Sequence, residues 1–267
     1  MIFLFFFLID KKKEKQKKNL KKYELAKAFL SFFSSTSSSL QEKEKFQTDF
    51  ILNDELEPEF SKALLNKNSP AFFIHSFQTN VSFQDMNLCS DSLKILNTPN
   101  AGGNSIISET LSNEILFRSF NSKLLATEME IIYYPTGKIT DYAVKIHDTN
   151  FGVSVTRAMK YPPNSPYTEE DAKRLLKKKL EGVIASTKLA IKPKFKKQIL
   201  HIWAINSQAA ESLEKAYADI DPEIKSNTIV LVTIAENCDF IFWNSSQINN
   251  NHNNQNQNQK ESKNDRN

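Results

Sequence analysis

The hydrophobic pattern of this chain of 267 residues is most regular between residues 105 and 243. Apolar side chains recur near the helical period over residues 105–124, which predicts a helix. Three strand-like segments follow, at residues 127–134, 139–146 and 152–159. Short turn sequences separate them, so the pattern predicts a hairpin extended by a third strand.

A long amphipathic helix is predicted after these strands. Thr168 opens it, acidic residues fill its first turn, and Pro193 marks its end. The next segment, residues 198–205, is almost continuously apolar, which is typical of a strand covered on both faces. A helix at 207–219 and strands at 228–234 and 239–243 repeat the alternation. The predicted fold class is therefore α/β (α+β), with a mixed sheet flanked by helices and an extra C-terminal helix and strands.

The same pattern divides the chain into four regions. Residues 1–45 form a lysine- and serine-rich arm, disordered or partly helical, and residues 46–100 resemble a linker. Adjacent glycines at 102 and 103 mark a boundary, so a single domain is expected at 101–245. Residues 246–267 are rich in Asn and Gln and predict a disordered tail.

Composition narrows the functional classes. The net charge of +4 owes much to the lysines between Lys11 and Lys27, so it does not indicate a nucleic-acid partner for the domain. Two cysteines without metal-ligand spacing argue against zinc, and reduced thiols are favoured over a single disulfide. Phosphate-loop and serine-hydrolase motifs are absent from the sequence. His201 is interpreted as a hydrogen-bonded strand residue.

The apolar start of the chain, residues 1–9, lacks a positively charged leader and is too short to span a bilayer. An intracellular location, cytoplasmic or nuclear, is therefore favoured over secretion. Membrane contact through residues 1–30 is kept as a weaker hypothesis.

Two charged residues stand out within the predicted strands. Asp141 lies in Lys-Ile-Thr-Asp-Tyr (138–142), and aspartate is disfavoured in strands. Arg157 shares a strand face with Val153 and Val155, so its charge needs a partner. Asp141 on the neighbouring strand would lie about 5 Å away. Either the two form a structural ion pair, or Asp141 binds a hard divalent cation and Arg157 stabilises a phosphate.

The order helix, three strands, helix, strand, with these two residues, resembles the PD-(D/E)XK nuclease-like superfamily, whose core is αβββαβ. The resemblance covers residues 105–206. Members carry an aspartate on the second strand, a Glu-x-Lys trio on the third and often a glutamate on the first helix; these bind magnesium and activate water. The resemblance implies Asp141, Arg157 and Glu114 as catalytic residues, Asp141 and Glu114 as ligands of Mg²⁺, and nucleic acid as the partner.

Val155 stands where the trio has its glutamate, and valine cannot bind a metal. Either another acid has taken its place or catalysis has been lost. The available acids are Glu128, Glu130, Glu170 and Asp171. The resulting prediction is a nuclease-like or nucleic-acid-binding protein with weakened or lost catalysis. The alternative is a non-catalytic interaction module in which Asp141 and Arg157 form the structural ion pair.

The lysine-rich face of the helix at 168–190 provides a second basis for nucleic-acid binding. Such a face can follow a phosphate backbone in a salt-dependent manner. It continues through Lys192, Lys194, Lys196 and Lys197. Aromatic residues are not interleaved with these lysines, as they are in proteins that bind single strands. A solvated helix face is the alternative interpretation.

Overall fold

The computed structural model describes residues 49–53, 57–99, 105–162 and 165–243. The predicted arm at 1–45 and tail at 246–267 lie outside these residues. The strands are β1 (Phe50–Asn53), β2 (Ala71–Thr79), β3 (Lys123–Thr127), β4 (Ile132–Tyr133), β5 (Tyr142–Ile146), β6 (Thr149–Ala158), β7 (Ala190–Lys192), β8 (Lys197–Ala204) and β9 (Ile229–Ile234). The helices are α1 (Glu57–Leu65), α2 (Ser90–Asn97), α3 (Ile106–Phe120), α4 (Glu169–Leu189), α5 (Ser207–Ala218), α6 (Pro222–Lys225) and α7 (Asp239–Phe242).

Seven strands form one mixed sheet in the order β1-β2-β9-β8-β6-β5-β3. Four adjacent strands, β2, β9, β8 and β6, are parallel, and β1, β5 and β3 pair antiparallel with their neighbours. This arrangement confirms the predicted α/β class. In the part of the chain that the structure describes, no helix is long and apolar enough to cross a membrane.

The sheet carries a hydrophobic core on each face because the side chains of β8 alternate between the two. Ile199 and Trp203 pack with α3 and α7 on one face. Leu200 and Ile202 pack with α4 and α5 on the other. Every residue of β8 is buried, which confirms the prediction that this strand is covered on both sides.

The expectation of a linker at residues 46–100 is wrong for the described part of that segment. β2 is an inner strand, paired with β1 on one side and with β9 on the other. Helix α2 packs beside α3. The sequence did not reveal this because the strand lies far along the chain from its partner β9, and no regular pattern surrounds it.

The predicted strand at 127–134 is also wrong. The Thr127 amide donates to the Glu130 carboxylate at 2.9 Å at the start of a 3₁₀ turn, Glu128–Glu130, and this turn ends β3. The next residues form β4, which pairs with β7 and not with β5, so no hairpin is closed at Pro135. The predicted strand at 239–243 is helix α7, because a short apolar run fits either structure.

Lys197 is a buried cation that joins α1 to the sheet. Its Nζ donates to the carbonyl oxygens of Ala63 at 2.9 Å and Ser69 at 3.1 Å, and also to that of Asn66. The carbonyl groups at the end of a helix have no partner within the helix. The lysine therefore satisfies carbonyl oxygens in the last turn of α1 and in the loop that follows it.

We expect Lys197→Met to lower the free energy of unfolding by about 2–3 kcal/mol, because three carbonyl oxygens lose the charged donor that joins α1 to the sheet. Lys196→Met is the matched control, since Lys196 is exposed, and should change stability by less than about 0.5 kcal/mol. Urea denaturation followed by circular dichroism measures both variants. Equal stability of the two would contradict this role.

Candidate functional site

Asp141 lies immediately before β5, at the point where β5 separates from β6. The pairing of the two strands begins at Tyr142 and Val153. Two residues further along β6, the amide of Val155 donates to Asp141 Oδ2 at 2.6 Å. Beyond this point β5 offers no carbonyl group to the Val155 amide, and the Asp141 carboxylate accepts its hydrogen bond instead. This explains an aspartate at the edge of an apolar strand pattern.

The carboxyl group of Asp141 has a strongly altered pKa. Its pKa is raised to about 7, mainly by burial and next by the negative charge of Glu109, and the hydrogen bond from the Val155 amide opposes the shift. The pKa of Glu109 is also raised, mainly because this side chain is buried. Glu109 and Asp141 therefore form an acidic pair in which ionisation of one disfavours ionisation of the other.

Two cations and a third acid act on this pair. Arg157 and Lys179 lower the pKa of Glu109, Lys179 lowers that of Asp141, and Glu128 raises both. We call these five residues the carboxylate–cation cluster. They come from α3, the 3₁₀ turn, the start of β5, the end of β6 and the middle of α4. The cluster therefore exists only when the helices on both faces of the sheet are in place.

Arg157 is held by a helix end and not by Asp141. Its Nη1 donates to the carbonyl oxygens of Phe242 at 3.0 Å and Ile241 at 3.3 Å. Burial lowers the pKa of Arg157, and Glu109 opposes the shift. The expected ion pair with Asp141 is not formed, because Asp141 binds β6 at Val155, and two residues of strand span about 7 Å.

Glu114 does not join the cluster. Its carboxylate accepts from Arg118 Nε at 2.8 Å and from the Cys89 amide at 2.9 Å, and so faces α2. Glu109 lies five residues earlier, about 140° away around the same helix. Glu109, and not Glu114, is the glutamate of α3 whose negative charge acts on Asp141. No motif marks Glu109 in the sequence, and only the register of α3 on the sheet distinguishes it from Glu114.

The four acids considered as replacements for Val155 lie in different places. Glu128 acts on the acidic pair from the 3₁₀ turn. Glu130 pairs with Lys94 at 2.8 Å, and Glu170 is exposed. Asp171 caps α4 through Thr168 and pairs with Lys160 at 3.0 Å. None of the last three is needed to explain the cluster.

The carboxylates of the cluster are the candidate ligands for a resident metal ion. Across the described ranges, no group of three or more His, Cys, Asp or Glu side chains is arranged to hold one. Val155 is buried and offers no metal ligand, and Asp141 Oδ2 is engaged by a backbone amide. The residues present therefore do not fit a resident Mg²⁺ ion, which needs hard oxygen ligands in a defined geometry.

A second set of buried polar side chains forms a hydrogen-bonded network against the sheet. His75 Nε2 lies 2.5 Å from Thr233 Oγ1, which lies 2.7 Å from His201 Nε2. His201 Nδ1 lies 2.6 Å from Ser112 Oγ, which lies 2.6 Å from the Tyr142 hydroxyl. Burial lowers the pKa of both histidines, that of His75 to about 4. His201 is thus a hydrogen-bonded strand residue, as predicted.

Comparisons with known proteins give little functional information. No protein-family model matches the chain, and no solved structure matches it. Over 200 residues, 72% of this chain, it is 39% identical to the AAC-rich mRNA clone AAC4 protein of Dictyostelium discoideum. The chain spans 29% of the length of that protein. The name of that relative states no activity.

We expect Asp141→Asn to stabilise the protein by about 1–3 kcal/mol at about pH 8 and by much less at about pH 5. The folded-state pKa of Asp141 is raised to about 7, so stability is lost as pH rises towards that value. Asparagine removes the ionisation and keeps an acceptor for the Val155 amide. Thermal and urea unfolding across this pH range measure the difference.

Asp148→Asn is the matched control, because Asp148 is exposed in the turn between β5 and β6. Its effect should be small at both pH values. An Asp141→Asn variant that is less stable than the wild type at high pH would contradict the assigned environment of this carboxyl group.

Proposed function

We propose that this domain is a nuclease-like domain that binds nucleic acid without cleaving it. The order of α3, β3, β5, β6, α4 and β8 follows the αβββαβ core of the PD-(D/E)XK superfamily, with β4 and β7 as short additions. The strands of that core are neighbours in the order β3-β5-β6-β8. This agreement in connectivity supports the proposal.

The observation that carries the proposal is the carboxylate–cation cluster. Arg157 and Lys179 provide positive charge for a phosphate, and both are only partly buried. Asp141, with a pKa of about 7, is partly protonated near neutral pH. Its reduced negative charge weakens the repulsion of an approaching phosphate. Binding should therefore tighten as the pH falls and Asp141 takes up a proton.

The exposed face of α4 adds positive charge next to Lys179. Lys173, Arg174, Lys177 and Lys178 are exposed along it, and Lys179 is partly buried among them. Surface cations at this spacing contact phosphates and release counterions, so binding should weaken steeply with salt and show little sequence preference. Lys197 is not available to a ligand, because it binds carbonyl groups near α1.

We propose loss of cleavage because the chain lacks one of the metal-binding acids of the active enzymes. Val155 holds the position of a metal-binding carboxylate, and the described residues offer no substitute group of three ligands. A phosphodiester bound beside Glu109 and Asp141 therefore lacks the metal-activated water of the active enzymes. The cleavage assay therefore includes Mg²⁺ or Mn²⁺.

Fluorescence anisotropy of the full chain with labelled single- and double-stranded DNA and RNA tests the proposal. We expect binding that weakens at least tenfold between about 50 and 200 mM salt. Lys179→Ala should weaken it several-fold, and Lys215→Ala, an exposed lysine on α5, should not. Binding should tighten between about pH 8 and pH 6, and Asp141→Asn should abolish this dependence.

Absence of salt-sensitive binding to every nucleic acid would overturn the proposal. Cleavage is measured on the same substrates with Mg²⁺ or Mn²⁺, and none is expected. Metal-dependent cleavage that disappears in Asp141→Asn would overturn the loss of catalysis.

A non-catalytic interaction module is the second candidate function. Exposed apolar side chains near β4 and β7 favour it: Ile132 is 55%, Tyr134 78% and Ile191 53% exposed. Contiguous exposed apolar side chains often mark protein contact sites. This candidate does not depend on an ion pair between Asp141 and Arg157.

A further inference from the structure

An exposed aromatic side chain lies four residues after the arginine of the cluster in the chain. Tyr161 follows the end of β6 and is 72% exposed. Its ring meets that of Trp243 edge-on, with centroids 6.4 Å apart. Trp243 is itself 94% buried from solvent, at 6% exposure, so it forms a fixed base for the tyrosine.

Trp243 is linked to Arg157 through its chain neighbour Phe242. The Arg157 guanidinium donates to the carbonyl oxygen of Phe242, the residue directly before Trp243. The Trp243 amide donates to the backbone carbonyl oxygen of Asp239 at 2.8 Å, and this bond closes the end of α7. One short helix end therefore positions both a candidate phosphate-binding cation and an exposed aromatic ring.

The charges around Tyr161 do not favour an additional run of phosphates. Lys160 and Arg174 converge on Asp171, which neutralises part of their charge. Glu169 and Glu170 are exposed at the start of α4. A ligand that reaches Tyr161 from Arg157 would consequently meet a ring face and few unpaired cations. The ligand group that suits the exposed ring of Tyr161 is a flat aromatic one, such as a nucleobase.

We infer that the nucleic acid bound by this domain is single-stranded, with one base stacked on Tyr161 and its phosphate directed towards Arg157. This inference rests on the proposed function and specifies its ligand. Bases of a single strand expose their faces and stack on aromatic side chains irrespective of sequence. Bases inside a duplex already stack on each other and cannot reach an isolated ring without unpairing.

Anisotropy titrations of the full chain with one oligonucleotide, single-stranded or annealed to its complement, test the inference. Tyr161→Ala should weaken single-strand binding about tenfold and leave duplex binding unchanged. Tyr161→Phe should bind like the wild type, because the ring is retained. The salt dependence should be the same in all three proteins, since no phosphate contact is removed.

Tyr134→Ala is the matched control, because Tyr134 is 78% exposed and its amide binds the carbonyl group of Leu189 at the far end of α4. It should leave both affinities unchanged. An unchanged single-strand affinity in Tyr161→Ala, or an equal loss for single strand and duplex, would overturn the inference while the proposed function stands. Failure of the wild type to bind any nucleic acid would overturn both.

Discussion

Burial of β8 on both faces is the constraint on which the rest of the structure depends. The strand lies between β6 and β9 at the centre of the sheet, so each of its polar groups must find a partner inside the protein. Lys197 binds the carbonyl groups near α1, and Gln198 donates to the Val183 carbonyl of α4 at 3.0 Å. His201 and Trp203 reach α3. These bonds fix the helices on both faces relative to one strand.

The position of the cluster follows from these bonds. Trp203 Nε1 donates to the carbonyl oxygen of Ser108 at 3.0 Å, and His201 lies 2.6 Å from the hydroxyl of Ser112. Both contacts set the rotation of α3, and Ser108 is the residue before Glu109. The buried histidine network thus has a structural role: it brings Glu109 of α3 towards Asp141 and turns Glu114 towards the Cys89 amide at the start of α2.

The local pattern was sufficient to predict α4, β6 and β8, because a long period or a continuous apolar run identifies each from its own residues. Asp141 and Arg157 could be singled out because each violates the chemistry of its strand. Glu109 and Lys179 could not, since an acid or a lysine on a helix is ordinary until the helix is placed on the sheet. Tyr161 was missed for the same reason: its neighbour Trp243 lies far away along the chain.

Glu109 and Asp141 act as one electrostatic unit, on which the chemistry of the cluster depends. The most direct test is the pKa of the Asp141 carboxyl group, measured by carbon NMR in the wild type and in Glu109→Gln. We expect a pKa near 7 in the wild type and a clearly lower one in the variant, because a negative charge that raises the pKa is removed. A wild-type value near that of an ordinary aspartate, or no change in Glu109→Gln, would contradict it.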